Sequence, residues 1–141
     1  MVIILKPSQT APDSAEILKA HDGWLIGMSG YNLFALKTIG GLDGYVGDIG
    51  ALVDHRFARK GYALDALEGL IEHGFGEMGL GGMFLETNAD NEPFKRLMSL
   101  MELDDVREYC PDDKGSFTYT FGKGKWDAAK AVLRMKGKWL I

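Results

Sequence analysis

Ala58-Arg59-Lys60-Gly61-Tyr62-Ala63 decides how this chain is read. The stretch follows an apolar run, Tyr45–Asp54, and precedes a long amphipathic one, so the order is strand, basic glycine-containing loop, helix start. The first N–H groups of a helix have no partner inside it, and the helix dipole places partial positive charge at the same end. Together they make a docking point for a phosphate or pyrophosphate. Gly61 lets the main chain come close to a ligand, and Arg59 and Lys60 add charge. On these residues alone a solvated turn is an equal reading, so the surroundings have to choose.

Downstream, apolar residues fall at Ala63, Ala66, Leu67, Leu70, Ile71, Phe75 and Met78. This is the i, i+3, i+4, i+7 stripe of a helix over Gly61–Met78 that buries one face, and Gly79, Gly81 and Gly82 end it. Met83–Thr87 is a short strand. Strand, helix and strand in this order predict a parallel pair with a right-handed crossover. Pro93 suits the first turn of another helix running to about Met101, with Asn91 as its cap. Arg107–Tyr109 and Phe117–Phe121 alternate on either side of Pro111-Asp112-Asp113-Lys114-Gly115 and predict a hairpin. Trp126, Ala129, Val132 and Leu133 mark a last helix that Gly137 ends.

Upstream, Val2–Lys6 reads as a first strand and Pro7–Gly23 as a loop, with a brief helical turn at Ala15–Ala20. Trp24–Met28 is a second strand that Gly27 and Gly30 interrupt, which points to a bulge or a close backbone neighbour, and Tyr31–Lys37 continues it after a turn. Gly40-Gly41-Leu42-Asp43-Gly44 closes a hairpin onto Tyr45–Asp54. The sum is an α/β chain with antiparallel strands first, one β-α-β crossover, and a closing hairpin.

The composition narrows the function. At 141 residues, 46% hydrophobic and 26% charged, the chain suits one globular domain over 1–141. A net charge of −4 argues against a nucleic-acid surface and leaves a local basic loop to meet a small anionic ligand. Cys110 is the single cysteine, so no internal disulfide forms. A reducing, cytoplasmic setting is the default expectation. No apolar run reaches the length of a membrane span, and His21 and His73 lack partners at metal-ligand spacing. His55, after the strand, is within reach of a phosphate or a substrate, against a plainer reading as a surface loop histidine.

At this point the residues resemble the GCN5-related N-acetyltransferases (GNAT), most closely the branch that acetylates ribosomal-protein N-termini and small amines. The family's core motif runs from a strand into Arg/Gln-x-x-Gly-x-Gly/Ala and a helix written Gly-Tyr-Ala-x-Glu-Ala-Leu. Here it reads Ala58-Arg59-Lys60-Gly61-Tyr62-Ala63-Leu64-Asp65-Ala66-Leu67. A second block, strand, asparagine and helix, reads Leu85-Glu86-Thr87-Asn88-Ala89-Asp90-Asn91, with its helix from about Glu92 to Met101-Glu102-Leu103. The resemblance covers roughly Gly23 to Phe121. It implies a mixed, splayed sheet with flanking helices and a C-terminal helix, holding acetyl-CoA as co-substrate. The pantetheine arm is then expected on main chain around Ala51, Leu52 and Val53, and the pyrophosphate on the loop of Arg59, Lys60, Gly61, Tyr62 and Ala63. Asn91 is expected to contact the cofactor arm. Relative to the family pattern, Ala58 stands where Arg or Gln is usual, Glu102-Leu103 replaces Gly-Phe, and Met98 occupies the place of a general-acid Tyr. The resemblance also implies that the usual first strand and helices are lacking at the start of this chain.

Direct acyl transfer to an amine asks for a neutral amine, a donor aimed at the carbonyl oxygen, and a proton source for sulfur. Asp48 lies on the strand where some family members place a carboxylate that takes the amine proton through water, against a plain reading as a solvent-facing strand carboxylate. Glu86, beside the expected cleft on the crossover strand, is the second candidate acceptor. Tyr119, with Tyr109 beside it, is the candidate acid, against a plain role in packing the hairpin. The expected acceptor is the amine of a small molecule or a peptide N-terminus. A second reading stays open, in which a shortened member of the fold no longer acetylates and its cleft serves another small molecule. The apolar tail Trp139-Leu140-Ile141 fits a partner surface, as in a homodimer.

Overall fold

Gly40 and Gly41 have φ of 60° and 80°, the left-handed pair that a two-residue type I′ hairpin turn requires. They join β3 (Gly23–Ile39) to β4 (Leu42–Val53). The structure, a computed structural model, describes residues 2–5, 19–20, 23–112 and 114–139. β3 is one continuous strand of 17 residues, not the two runs expected from Gly27 and Gly30. Each glycine weakens a strand by only about 0.5–1 kcal/mol, and β4 pairs with β3 along the whole length from Gly27↔Val53 to Ile39↔Leu42. Against β1 the register shifts between Ile3↔Gly27 and Ile4↔Leu25, and a Cβ on Gly27 would run into the Leu52 carbonyl oxygen, the bulge and close backbone neighbour expected there. Against β4 a second shift lies between Tyr31 and Leu33, where Asn32 is the extra residue of a bulge.

β1 (Val2–Leu5) and β2 (Lys19–Ala20) both pair antiparallel with β3 near Trp24. The helical turn expected at Ala15–Ala20 falls mostly outside the described residues, and its last two positions are strand. A short 3-10 turn, His55–Phe57, leads from β4 to the loop and α1 (Tyr62–Gly76). β5 (Gly82–Asn88) follows, parallel to β4 as the crossover predicts. α2 (Glu92–Leu100), β6 (Arg107–Cys110), β7 (Ser116–Phe121) and α3 (Lys123–Met135) complete the chain. The sheet order is β1-β3-β4-β5-β7-β6 with β2 beside β3, a mixed sheet of the expected class.

Strand alternation assigns the two faces. Ile49, Met83, Leu85, Tyr119 and Phe121 lie on the face that packs with Leu67, Leu70, Ile71 and Phe75 of α1, Met98 of α2 and Trp126 of α3. Each of the large buried apolar side chains contributes about 1.5–3 kcal/mol against leaving it in water. α3 ends in a Schellman motif, with Gly137 at φ 65° and hydrogen bonds from Gly137 to Arg134 and Lys138 to Leu133. Trp139 then folds back onto Trp126, ring centroids 5.7 Å apart. That ring is therefore engaged within the chain, while Leu140 and Ile141 lie outside the described residues. The opposite face carries Met28, Leu33 and Leu52, all well exposed.

Candidate active site

The parallel pairing of β4 with β5 is brief. It covers Val46↔Gly82, Gly47↔Met83 and Asp48↔Phe84, and then stops. From Ile49 to Val53, β4 keeps its ladder with β3, so among the described residues its β5-facing edge is unpaired in the middle of a sheet. Buried main-chain N–H and C=O groups need partners. The gap beyond the last rung, edged by free backbone, is therefore a place for an extended ligand to complete the ladder. Ala51, Leu52 and Val53 lie on that edge.

The gap leads to the start of α1. The first main-chain bond of this helix runs from Asp65 N–H to Gly61 C=O, so the amides of Tyr62, Ala63 and Leu64 come before it. No side chain caps them. Gly61 has φ 88°, a left-handed conformation, and no heavy atom lies within 4 Å of where its Cβ would stand. Arg59 is also left-handed, with φ 62°. Two left-handed residues in three turn the loop around a hollow, and Arg59, Lys60 and Gly61 are all exposed there. Donors, dipole and open space coincide, as an anion site needs. Asp54 closes the base of the loop: it accepts from Arg56 main chain and guanidinium, and the guanidinium bond holds its carboxyl well below the usual range. His55 beside it is almost fully exposed.

Asp48 and Glu86 share the open face of the sheet. Phe84 is the partner of Asp48 across the last paired rung, and Glu86 stands two residues further, about 7 Å along the strand. Asn32 of the bulge donates from Nδ2 to Asp48 Oδ1 at 3.3 Å. Glu86 Oε1 accepts from the hydroxyl of buried Ser116 at 2.9 Å. Glu86 also lines a cavity of about 670 Å³ with Asn88, Asp112, Lys114 and Ser116, and Lys37 holds its ammonium 4.6 Å from the centre of the Phe84 ring on the same face.

Tyr119 is not brought together with these carboxylates. It pairs with Leu85, so alternation turns it to the helix face, where it is fully buried against Phe94. Its hydroxyl lacks a hydrogen-bond partner of good geometry, and burial pushes its pKa up against a weaker opposing pull from Arg107. Tyr109 is exposed and packs on Phe117. Met98 is fully buried in the core. Asn91 spends both ends of its amide inside the protein: Oδ1 accepts from Phe94 N–H at 3.2 Å and Nδ2 donates to Thr87 at 2.8 Å. Its observed work is to cap α2.

Sequence reasoning missed three features. Asn32 carries no signal, because a bulge depends on register with another strand. The loop Pro111–Gly115 reads only as a turn, yet Pro111, Asp112, Lys114 and Gly115 line the cavity. Glu68 falls outside the apolar stripe of α1 but is fully buried.

A family model described as an acetyltransferase (GNAT) domain matches residues 8–103. The chain belongs to the GNAT acetyltransferase family. No curated protein matches it. Its solved neighbours include a probable acetyltransferase, 19% identical, covering 74% of this chain and 59% of that one with a TM-score of 0.57. Arabidopsis thaliana NAA60 in complex with a bisubstrate analogue is 18% identical, with 76% and 70% covered and a TM-score of 0.58. Mycobacterium smegmatis RimJ in complex with CoA-disulfide is 15% identical, with 83% and 57% covered and a TM-score of 0.56. At these identities the likeness is one of fold, and the chain spans 59% of the length of the first of these neighbours. Among the described residues no helix is long and apolar enough to cross a membrane, and no three His, Cys, Asp or Glu side chains are placed to hold a metal ion.

Proposed function

We propose that the chain is an acetyl-CoA-dependent N-acetyltransferase acting by direct transfer on the amine of a small molecule or a peptide N-terminus. The observation that carries this reading is the gap: an unpaired β4 edge, Ile49–Val53, running to uncapped amides at the start of α1. An extended, amide-bearing arm ending in a pyrophosphate fits both parts at once. The main chain of Ala51, Leu52 and Val53 takes the arm, and the loop Arg59–Ala63 takes the pyrophosphate with Arg59 and Lys60 as counter-charge. Asn91 stands at the mouth of α2 and its contact with the arm rests on the family resemblance.

Asp48, with Glu86 further along the same face, accepts the proton of the incoming ammonium. The freed nitrogen lone pair then forms the C–N bond at the thioester carbonyl. The C–S bond breaks, the thiolate leaves with its electron pair, and the nitrogen gives up its second proton to that thiolate, leaving the amide and CoA thiol. The fold and the single free cysteine suit a reducing, cytoplasmic setting, and residues 1–141 act as one such unit. The second reading, a cleft that has lost acetyl transfer, is favoured by one observation. Met98 is buried and Tyr119 is turned to the other face, so neither offers a proton to the departing sulfur.

Thermal unfolding with acetyl-CoA tests the reading. Ligand at about a hundred times its Kd adds about 2.7 kcal/mol of stability by mass action. A transferase gains this stabilisation and releases CoA thiol when an amine is added. No rise in unfolding temperature at millimolar acetyl-CoA sinks it.

A further inference from the structure

The bulge in β3 has a specific result. Tyr31 pairs with Ile49 and Leu33 with Asp48, so Asn32 is an added residue inserted directly opposite the rung that carries Asp48. A bulge re-aims a side chain that regular alternation would place elsewhere. Here it lays the Asn32 amide over Gly50, whose position leaves room because an added Cβ there would meet only Asn32 Nδ2, at 3.5 Å. From that place Nδ2 donates to Asp48 Oδ1. Asp48 Oδ2 takes no hydrogen bond or ion pair among the described residues. The last rung before the gap opens is also the rung of Asp48 and Phe84.

We propose that Asn32 is a positioning residue for acyl transfer: the bulge holds its amide on one oxygen of Asp48 so that the other oxygen faces the acceptor amine at the mouth of the gap. This inference rests on the transferase reading above. An exposed carboxylate on a strand turns about its side-chain bonds, and one fixed donor selects a single orientation. The neighbouring charges on this face are Lys37, over the Phe84 ring, and Glu86, held by Ser116. Neither of them bonds Asp48 among the described residues, so Asn32 alone sets its direction.

The test is CoA release from acetyl-CoA with two probe acceptors, a short peptide with a free N-terminus and an aliphatic diamine. Asn32→Ala is expected to lower kcat about tenfold, the loss of one hydrogen bond to a charged group, with KM for acetyl-CoA and the unfolding temperature unchanged. Asn32→Gln keeps the donor on a longer arm and recovers part of the loss. In an Asp48→Ala background, Asn32→Ala has no further effect, because its action runs through Asp48. A wild-type protein that transfers acetyl while Asn32→Ala matches it, or shows the same loss with and without Asp48, overturns the inference alone. A wild-type protein that transfers to neither probe overturns the transferase reading, and the inference falls with it.

Discussion

Glu68 makes stability depend on pH in the direction opposite to most carboxylates, and Glu68→Gln exposes it. Asp65, Glu68 and Glu72 follow one another at three- and four-residue spacing, so they stack on one side of α1. Glu72 has partners: Trp126 Nε1 at 2.5 Å and Lys130 Nζ at 2.8 Å. Glu68 is fully buried and both of its carboxylate oxygens lack a hydrogen bond among the described residues. Burial first, and then repulsion from Asp65 and Glu72, push its pKa up to about 7 from an ordinary 4.5. Below the ordinary value the carboxyl is protonated in folded and unfolded chains alike and costs nothing. As pH rises through the window, the unfolded chain releases its proton while the folded chain retains it, so stability falls; above about 7 the full cost is present. A shift of that size is worth about 3 kcal/mol, or about 10 °C in unfolding temperature for a chain of this length. Urea denaturation of wild type and Glu68→Gln at several values from pH 5 to 8 checks it. The variant should gain on wild type from pH 5 to about 7, and its lead should then level off at about 3 kcal/mol. Parallel curves for the two proteins would refute the burial argument.

Other positions yield to simpler tests. Gly61→Asn should fold, since asparagine tolerates left-handed backbone, yet lose acetyl-CoA binding by calorimetry because its side chain enters the hollow where no protein atom stands. Gly61→Val adds a strain of about 1–2 kcal/mol at φ 88°, so it loses stability as well as binding; normal binding by Gly61→Asn would mean the pyrophosphate sits elsewhere. Glu102 has φ 58° and closes α2 through bonds from Glu102 to Ser99 and Leu103 to Met98, the place where glycine is favoured. Glu102→Gly relieves about 1 kcal/mol of strain and forfeits an exposed pair with Lys136 worth a few tenths to about 1 kcal/mol. The net change in chemical denaturation should lie between zero and about 1 kcal/mol of stabilisation, and a loss above that size would contradict it.

What the sequence announces depends on how local its cause is. The stripe from Ala63 to Phe75 and the cap at Asn91 are local patterns, and both helices form within two residues of their expected bounds. The β-α-β order dictates a parallel pair, and β4 and β5 are parallel. The sequence reads β3 as two runs because glycine lowers strand propensity locally, while the partner strand that overrides it lies elsewhere in the chain. Glu68 looks solvent-facing because the apolar stripe marks only the side of α1 toward the sheet; α3 covers a second side through Trp126 and Lys130. Tyr119 looked available for acid chemistry because a strand's period says which residues share a face, not which face looks toward the gap. Asn32 acquires its place only through register with β4.

The departures from the family pattern fall unevenly on the chemistry. On the proposed reading main chain holds the cofactor arm and pyrophosphate, so Ala58 in place of Arg or Gln costs one side-chain contact and leaves the amides of Tyr62, Ala63 and Leu64 in position. Glu102 takes up the left-handed turn that glycine would, and Leu103 is fully buried behind it, so the end of α2 keeps its shape. Met98 bears only on the last proton transfer, to a thiolate. Thiols are far stronger acids than alcohols, so a thiolate leaves far more readily at neutral pH than an alkoxide would, and the missing acid weakens the step rather than forbidding it. The amine is different: it must lose a proton before it can attack, and a nearby carboxylate, directly or through water, is suited to take it. On the proposed reading the side-chain chemistry therefore falls on the open face, in Asp48 with Asn32 and Glu86 with Ser116.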